Sequence, residues 1–169
     1  MGILIGIIVR FITFPGVVLD LIVNFLIAKL LKLEIIRINL LSILTGNPIV
    51  IKEESRYYKI LLFSILPFII MTLIAIPFCY KAIEFNQGKK FLICLWLGIS
   101  IAAHSFPEIE IGKLIWKRTN EEIKNKNYIT VLIYPYVIFI FIFRILHVLW
   151  LDILYGVGIL FLIDYYCFK

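Results

Sequence analysis

From Ile60 to Tyr80 the chain runs for 21 residues without an acid or a base. About 20 mostly apolar residues are what a helix needs to cross roughly 30 Å of hydrocarbon. Four more apolar runs accompany it: 11–33 before it, and 91–106, 131–151 and 153–168 after it. Runs as short as 91–106 and 153–168 span by thinning the bilayer locally or by drawing flanking polar residues into the interface. The last run is alternatively the returning arm of a hairpin turned at Asp152. With 63% hydrophobic and 17% charged residues, the chain has too few polar side chains to coat a globule. A disordered chain, a disulfide-stapled secreted domain and an ordinary cytosolic enzyme are therefore excluded. The expected fold is all-α and integral to a membrane: a bundle of 4–5 transmembrane helices forming one membrane domain over residues 1–169.

The bases set the expected orientation. Lys29, Lys32, Arg37, Lys52, Arg56 and Lys59 lie between the first and second runs, and Lys113, Lys117, Arg118, Lys124 and Lys126 between the third and fourth. Only Lys81, Lys89 and Lys90 fall between the second and third. Positive residues favour the cytoplasmic side, so the first and third connections are expected there and the amino terminus outside, in a cell membrane. The net charge of +6 is dispersed between apolar runs, which points to lipid headgroups rather than nucleic acid as the partner. Residues 34–51 alternate β-branched and polar side chains around a turn signal at 45–48, which predicts a short β-hairpin. Residues 108–130 are expected to form a cytoplasmic loop, solvated over 120–127. Cys79, Cys94 and Cys167 have no paired spacing and are expected to be buried thiols.

Ionisable side chains inside a span cost about 2.5–3.5 kcal/mol each at its centre. Asp20 and Asn24 are four residues apart and so share a helix face. His104 lies near the end of the third run, Arg144 and His147 share a face of the fourth, and Asp164 sits in the last. Asp20, Asn24 and His104 form a candidate polar pocket, with two readings. One is a hydrogen-bonded contact between helices. The other is a weak metal set, although an amide oxygen suits hard cations better than zinc. No nucleophile elbow, phosphate-cradling glycine loop or intact H-E-x-x-H is present.

The layout resembles the small integral-membrane zinc metalloproteases of the site-2-protease-like group. In that pattern a Pro-Gly-Val opening leads into H-E-x-x-H on the first long helix. Here FPGVVLDLIVNF (14–25) is similar to the opening, and the motif window falls on Asp20, Leu21, Ile22, Val23 and Asn24. SILPFIIMTL (64–73) resembles the family's Pro-containing span, with Met71 where Asn is common, and WLGISIAAHSFP (96–107) is similar to a later run. The family then places an aspartate four residues past the proline, which is Ile111 here; Lys113 and Trp116 also fit. The resemblance covers residues 11–120, and its most specific stretch is His-Ser-Phe-Pro.

It implies the fold and also a dismantled site. The two zinc-ligating histidines correspond to Asp20 and Asn24, the general-base glutamate to Leu21, and the acidic ligand to Ile111. The expectation is a non-catalytic membrane protein, a binding or scaffold relative of the protease with no cofactor, whose partners are the lipid bilayer and segments of other membrane proteins. The alternative is an active membrane metalloendopeptidase holding zinc through Asp20, His104 and Glu108 or Glu110. A channel or transporter component, resting on Arg144, His147 and Asp164, is a third reading.

Overall fold

A computed structural model describes residues 8–38, 49–51, 55–107, 109–146 and 151–167. The order of elements is α1 (Phe14–Leu30), β1 (Ile35–Ile38), β2 (Ile49–Ile51), α2 (Tyr57–Phe85), α3 (Gly88–Ala103) and α4 (Ile109–Lys124). A 3-10 turn (Tyr128–Ile133), α5 (Tyr134–Leu146) and α6 (Leu151–Cys167) follow. The chain is thus mostly helical. Among the described residues one helix, α2, is long and apolar enough to cross a membrane by length and composition. Its 29 residues extend to roughly 43 Å at 1.5 Å per residue. They continue through Pro67 and Pro77 without ending the helix.

The hairpin expected at 34–51 is present as an antiparallel pair with Ile35 opposite Ile51 and Ile38 opposite Ile49. The register slips between Ile35 and Arg37, so one extra residue bulges the first strand. Ile36 there is exposed, while Ile49 and Ile51 point inward at period two and are buried. The turn expected at 45–48 lies outside the described residues.

Expected and observed boundaries differ in informative ways. The stretch assigned to a loop, 108–130, contains the 16-residue helix α4 and the first half of the 3-10 turn. Charge concealed a helical period: Ile111, Leu114 and Ile115 recur at spacings of three and four, with Gly112 and Thr119 buried on the same side. The helix stops at a Schellman turn, where Asn127 N–H reaches the Glu122 carbonyl at 3.0 Å and Lys126 N–H the Ile123 carbonyl at 2.9 Å. Lys126 there adopts a left-handed φ of 67°. α1 ends by the same device, with Leu33 N–H on the Ala28 carbonyl at 2.9 Å and Lys32 at φ 52°. α3 runs three residues earlier than the expected span at both ends, so His104 is its cap rather than a residue of its interior. Of the cysteines, Cys79 is buried as expected, whereas Cys94 is half-buried and Cys167 exposed on the last turn of α6.

α3 packs against α1, α2 and α6, and small residues let it approach them. A Cβ on Gly98 would lie 2.6 Å from Cys79 Sγ in α2, and one on Gly156 of α6 would lie 3.2 Å from Ile99 Cα. The tightest approach is at α1: a Cβ on Gly16 would sit 2.1 Å from the Ser100 carbonyl oxygen. Helix axes brought this close gain dispersion contact along their backbones, the usual route to association where solvent supplies no hydrophobic drive.

At that crossing the helical path breaks. Residues 8–12 are helical, Thr13 interrupts, and Pro15 begins α1 without an N–H to give. Gly16 N–H turns to the Thr13 carbonyl at 3.0 Å, which leaves the Ile12 carbonyl without its usual helical donor. α3 supplies what is missing. Trp96 Nε1–H donates to the Ile12 carbonyl at 2.8 Å. Ser100 Oγ donates to the Thr13 carbonyl and accepts from Gly16 N–H, both at 2.9 Å.

Gly16→Ala is expected to destabilise the protein by about 1–3 kcal/mol, the usual cost of overpacking. Gly158→Ala, where an added Cβ meets nothing within 4 Å, should be neutral or stabilising by about 0.5–1 kcal/mol through helix propensity. Unfolding midpoints of the two variants measure the contrast.

Candidate functional site

The clamp at Thr13 sets the rotation of α1 and so decides which side chains face its neighbours. Asp20 and Asn24, one turn apart, face a partly open cavity of about 30 Å³. Asn24 Nδ2 donates to Asp20 Oδ1 at 2.6 Å and to the Asp20 backbone carbonyl at 3.0 Å. The amide is thereby oriented as a donor to the carboxylate. Across the cavity α2 contributes Phe63, Ser64 and Pro67, and β2 contributes Ile49. Phe106 and Pro107, from the turn after α3, and Ile111, from the first turn of α4, close the remaining wall.

That turn is held by aromatic packing. Phe106 meets Tyr155 of α6 edge-on at 5.0 Å and Phe68 of α2 at 5.5 Å, and the Tyr155 hydroxyl pairs with Thr72 Oγ1 at 2.9 Å. Ser64 is almost fully buried and shares a 2.8 Å hydrogen bond with the Tyr136 hydroxyl, which ties α5 to the cavity wall. About 30 Å³ is room for one or two water molecules, too little for a side chain of any length.

The expected pocket of Asp20, Asn24 and His104 divides in two. Asp20 and Asn24 are together, but His104 is not among the residues lining their cavity. It lies beside the break in α1, with Nε2 2.7 Å from Thr13 Oγ1. Thr13 Oγ1 also lies 2.8 Å from the Val9 carbonyl, so the imidazole is tied through the threonine to the backbone at the break. Thr13 precedes Asp20 by seven residues, roughly 10 Å along a helix. His104 therefore joins the crossing as the third member of a Trp96–Ser100–His104 stripe spaced by four.

Glu110, on the first turn of α4, is exposed and paired with Lys113 at 3.1 Å. Glu108 and His147 lie outside the described residues, as does the Arg144 side chain. Asp164 is exposed on the last turns of α6. Among the described residues no three His, Cys, Asp or Glu side chains group so as to hold a metal ion. Of the altered zinc set, His104 and Glu110 are engaged with Thr13 and Lys113, and Glu108, the other acid offered for it, lies outside the described residues.

Ser64 and Tyr136 were not foreseen as neighbours of the site. Nothing in the local sequence links residues 72 positions apart, although Ser64 opens the Pro-containing run that accompanies the resemblance. No protein-family model, curated protein or solved structure matches the chain.

A double-mutant cycle of Thr13→Val and His104→Phe is expected to show coupling of about 0.5–1.5 kcal/mol, the usual net worth of an intramolecular hydrogen bond. A metal-ligand role for His104 would instead make its loss visible in bound zinc rather than in coupling to Thr13.

Proposed function

We propose that this chain is a polytopic membrane protein with the fold of the site-2-protease-like metalloproteases, and that it acts by binding membrane-protein segments rather than by hydrolysis. One observation carries the reading. The three positions that the resemblance assigns to zinc ligands, Asp20, Asn24 and Ile111, line a single cavity, although 87 residues separate the last two. Pro107 and the Pro-containing run of α2, through Ser64 and Pro67, border the same space.

The chemistry of that cavity favours a non-catalytic role. A catalytic zinc takes three protein ligands and a water. Asp20 offers one carboxylate, Asn24 a neutral amide already turned toward it, and Ile111 no donor atom. Leu21, adjacent on α1, has no atom to accept a proton from water, and base catalysis is typically worth about 10²–10⁴ in rate. What remains is a carboxylate–amide pair in an apolar wall.

The outer surface supports a bilayer as the surroundings. Leu30 is 76% exposed and Phe161 70% exposed, and α2 and α3 likewise present Leu73, Leu92 and Ile93 outward. Apolar side chains turned outward on four helices are costly in water but match hydrocarbon. On this reading four to five of the helical segments span, and the basic connections face the cytoplasm.

The test is to rebuild the lost ligands. The quadruple variant D20H/L21E/N24H/I111D is expected to bind zinc at one per chain, whereas the unsubstituted protein, purified alongside it, binds none and cleaves no membrane peptide. Zinc at one per chain in the unsubstituted protein, lost on Asp20→Ala, contradicts the non-catalytic reading. A folded quadruple variant that takes up no zinc contradicts the correspondence of the four positions.

A further inference from the structure

α4 has two unlike faces. At about 100° per residue, Lys113, Lys117 and Lys124 fall within roughly 40° of one another, on the side opposite the buried Ile115. Trp116 and Asn120 occupy the adjoining flank. The Trp116 ring packs edge-on against Tyr134 at 4.9 Å, and the Tyr134 hydroxyl donates to Asn120 Oδ1 at 2.5 Å. Those contacts hold the 3-10 turn beside the lysine row. The turn itself is ordered by Thr130, whose hydroxyl donates to the Asn127 carbonyl at 2.7 Å. Yet it presents Ile129 and Leu132 outward, each 77% exposed.

The acids of this segment are engaged locally. Glu110 pairs with Lys113 at 3.1 Å and Glu121 with Arg118 at 2.9 Å, and Glu122 accepts from Asn127 at 3.1 Å. Five bases face three acids between residues 109 and 127. More bases share this end of the molecule. Arg118 reaches the Ser55 carbonyl, beside Arg56, at 3.0 Å, and Lys59 Nζ reaches the Lys32 carbonyl at 3.5 Å. Ammonium groups in a row next to protruding aliphatic side chains match the two halves of a phospholipid, an anionic headgroup and an acyl chain.

We propose that α4 and its 3-10 turn form an interfacial anchor selective for anionic phospholipids, with Lys113, Lys117 and Lys124 on the headgroups and Ile129 and Leu132 in the acyl region. The inference rests on the reading that the chain lies in a bilayer. Trp116, at the boundary, is the natural reporter. The full chain is reconstituted in vesicles of mixed phosphatidylcholine and phosphatidylglycerol with brominated acyl chains on one lipid or the other. Its fluorescence is then compared with that of Trp116→Phe, so that the difference isolates Trp116.

Quenching by the brominated phosphatidylglycerol should exceed that by phosphatidylcholine by about fivefold, the factor that one lysine supplies near an anionic surface. K113Q/K117Q/K124Q should bring the two to parity, and K113R/K117R/K124R, which keeps the charge and guards against a folding defect, should retain the preference. Equal quenching in the unsubstituted protein overturns the proposal, as does a preference that survives in the glutamine variant. So does loss of the preference to soluble polyglutamate, which would assign the face to an acidic protein. If Trp116 is unquenched by either lipid while the remaining tryptophans are quenched, the anchor fails and the bilayer reading stands. If none is quenched, the bilayer reading fails as well.

Discussion

The close crossing of α1 and α3 at Gly16 is the constraint on which the remaining arrangement depends. A proline-initiated helix leaves backbone groups without helical partners, and buried groups of that kind cost about 1–3 kcal/mol each when unmet. Here one stripe of α3 meets the break: Ser100 takes the buried Thr13 and Gly16 backbone groups, Trp96 reaches the Ile12 carbonyl at the exposed edge, and His104 meets the Thr13 hydroxyl. The absence of a Cβ at Gly16 admits the two backbones to that distance. Once the crossing is fixed, the rotation of α1 is fixed, and Asp20 and Asn24 face α2 and the start of α4.

The cavity they reach is built by elements far apart in sequence but tied by a few polar and aromatic contacts. Ser64 and Tyr136 join α2 to α5, and the Phe68–Phe106–Tyr155 group sets the turn that delivers Pro107 and Ile111. Each contact is worth little alone; side-chain hydrogen bonds between helices average about 0.6 kcal/mol in one well-measured membrane protein. Together they define one geometry. What the cavity then holds is a matter of side-chain chemistry, and an acid, an amide and an aliphatic group do not make the donor set of a hydrolytic metal.

Much of the architecture was legible in the sequence because it rests on local signals. Alternating β-branched residues announced the hairpin at Ile35–Ile38 and Ile49–Ile51. The pairing of Asp20 with Asn24 followed from their spacing alone. α4 was hidden because lysines, glutamates and an arginine weighed on its composition, while the apolar period at Ile111, Leu114 and Ile115 was short. His104 was misplaced for a different reason. Helix spacing within one run cannot show which neighbour an imidazole will meet, and Thr13, a residue of unremarkable type just ahead of the proline, was the partner. Ile111 entered only through the resemblance, and an isoleucine by itself gives no hint that it borders a polar cavity.

Residues 20, 24 and 111 share one cavity, and their proximity can be measured without any activity. In a chain whose native cysteines are replaced, Asn24→Cys and Ile111→Cys introduced together should be joined by a short bifunctional thiol reagent in intact membranes, with Asn24→Cys and Ile93→Cys as the distant pair. Efficient joining of 24 to 111, and little of 24 to 93, is the result the structure predicts. Joining no greater for the first pair than for the second would show that α1 and α4 do not meet at this cavity.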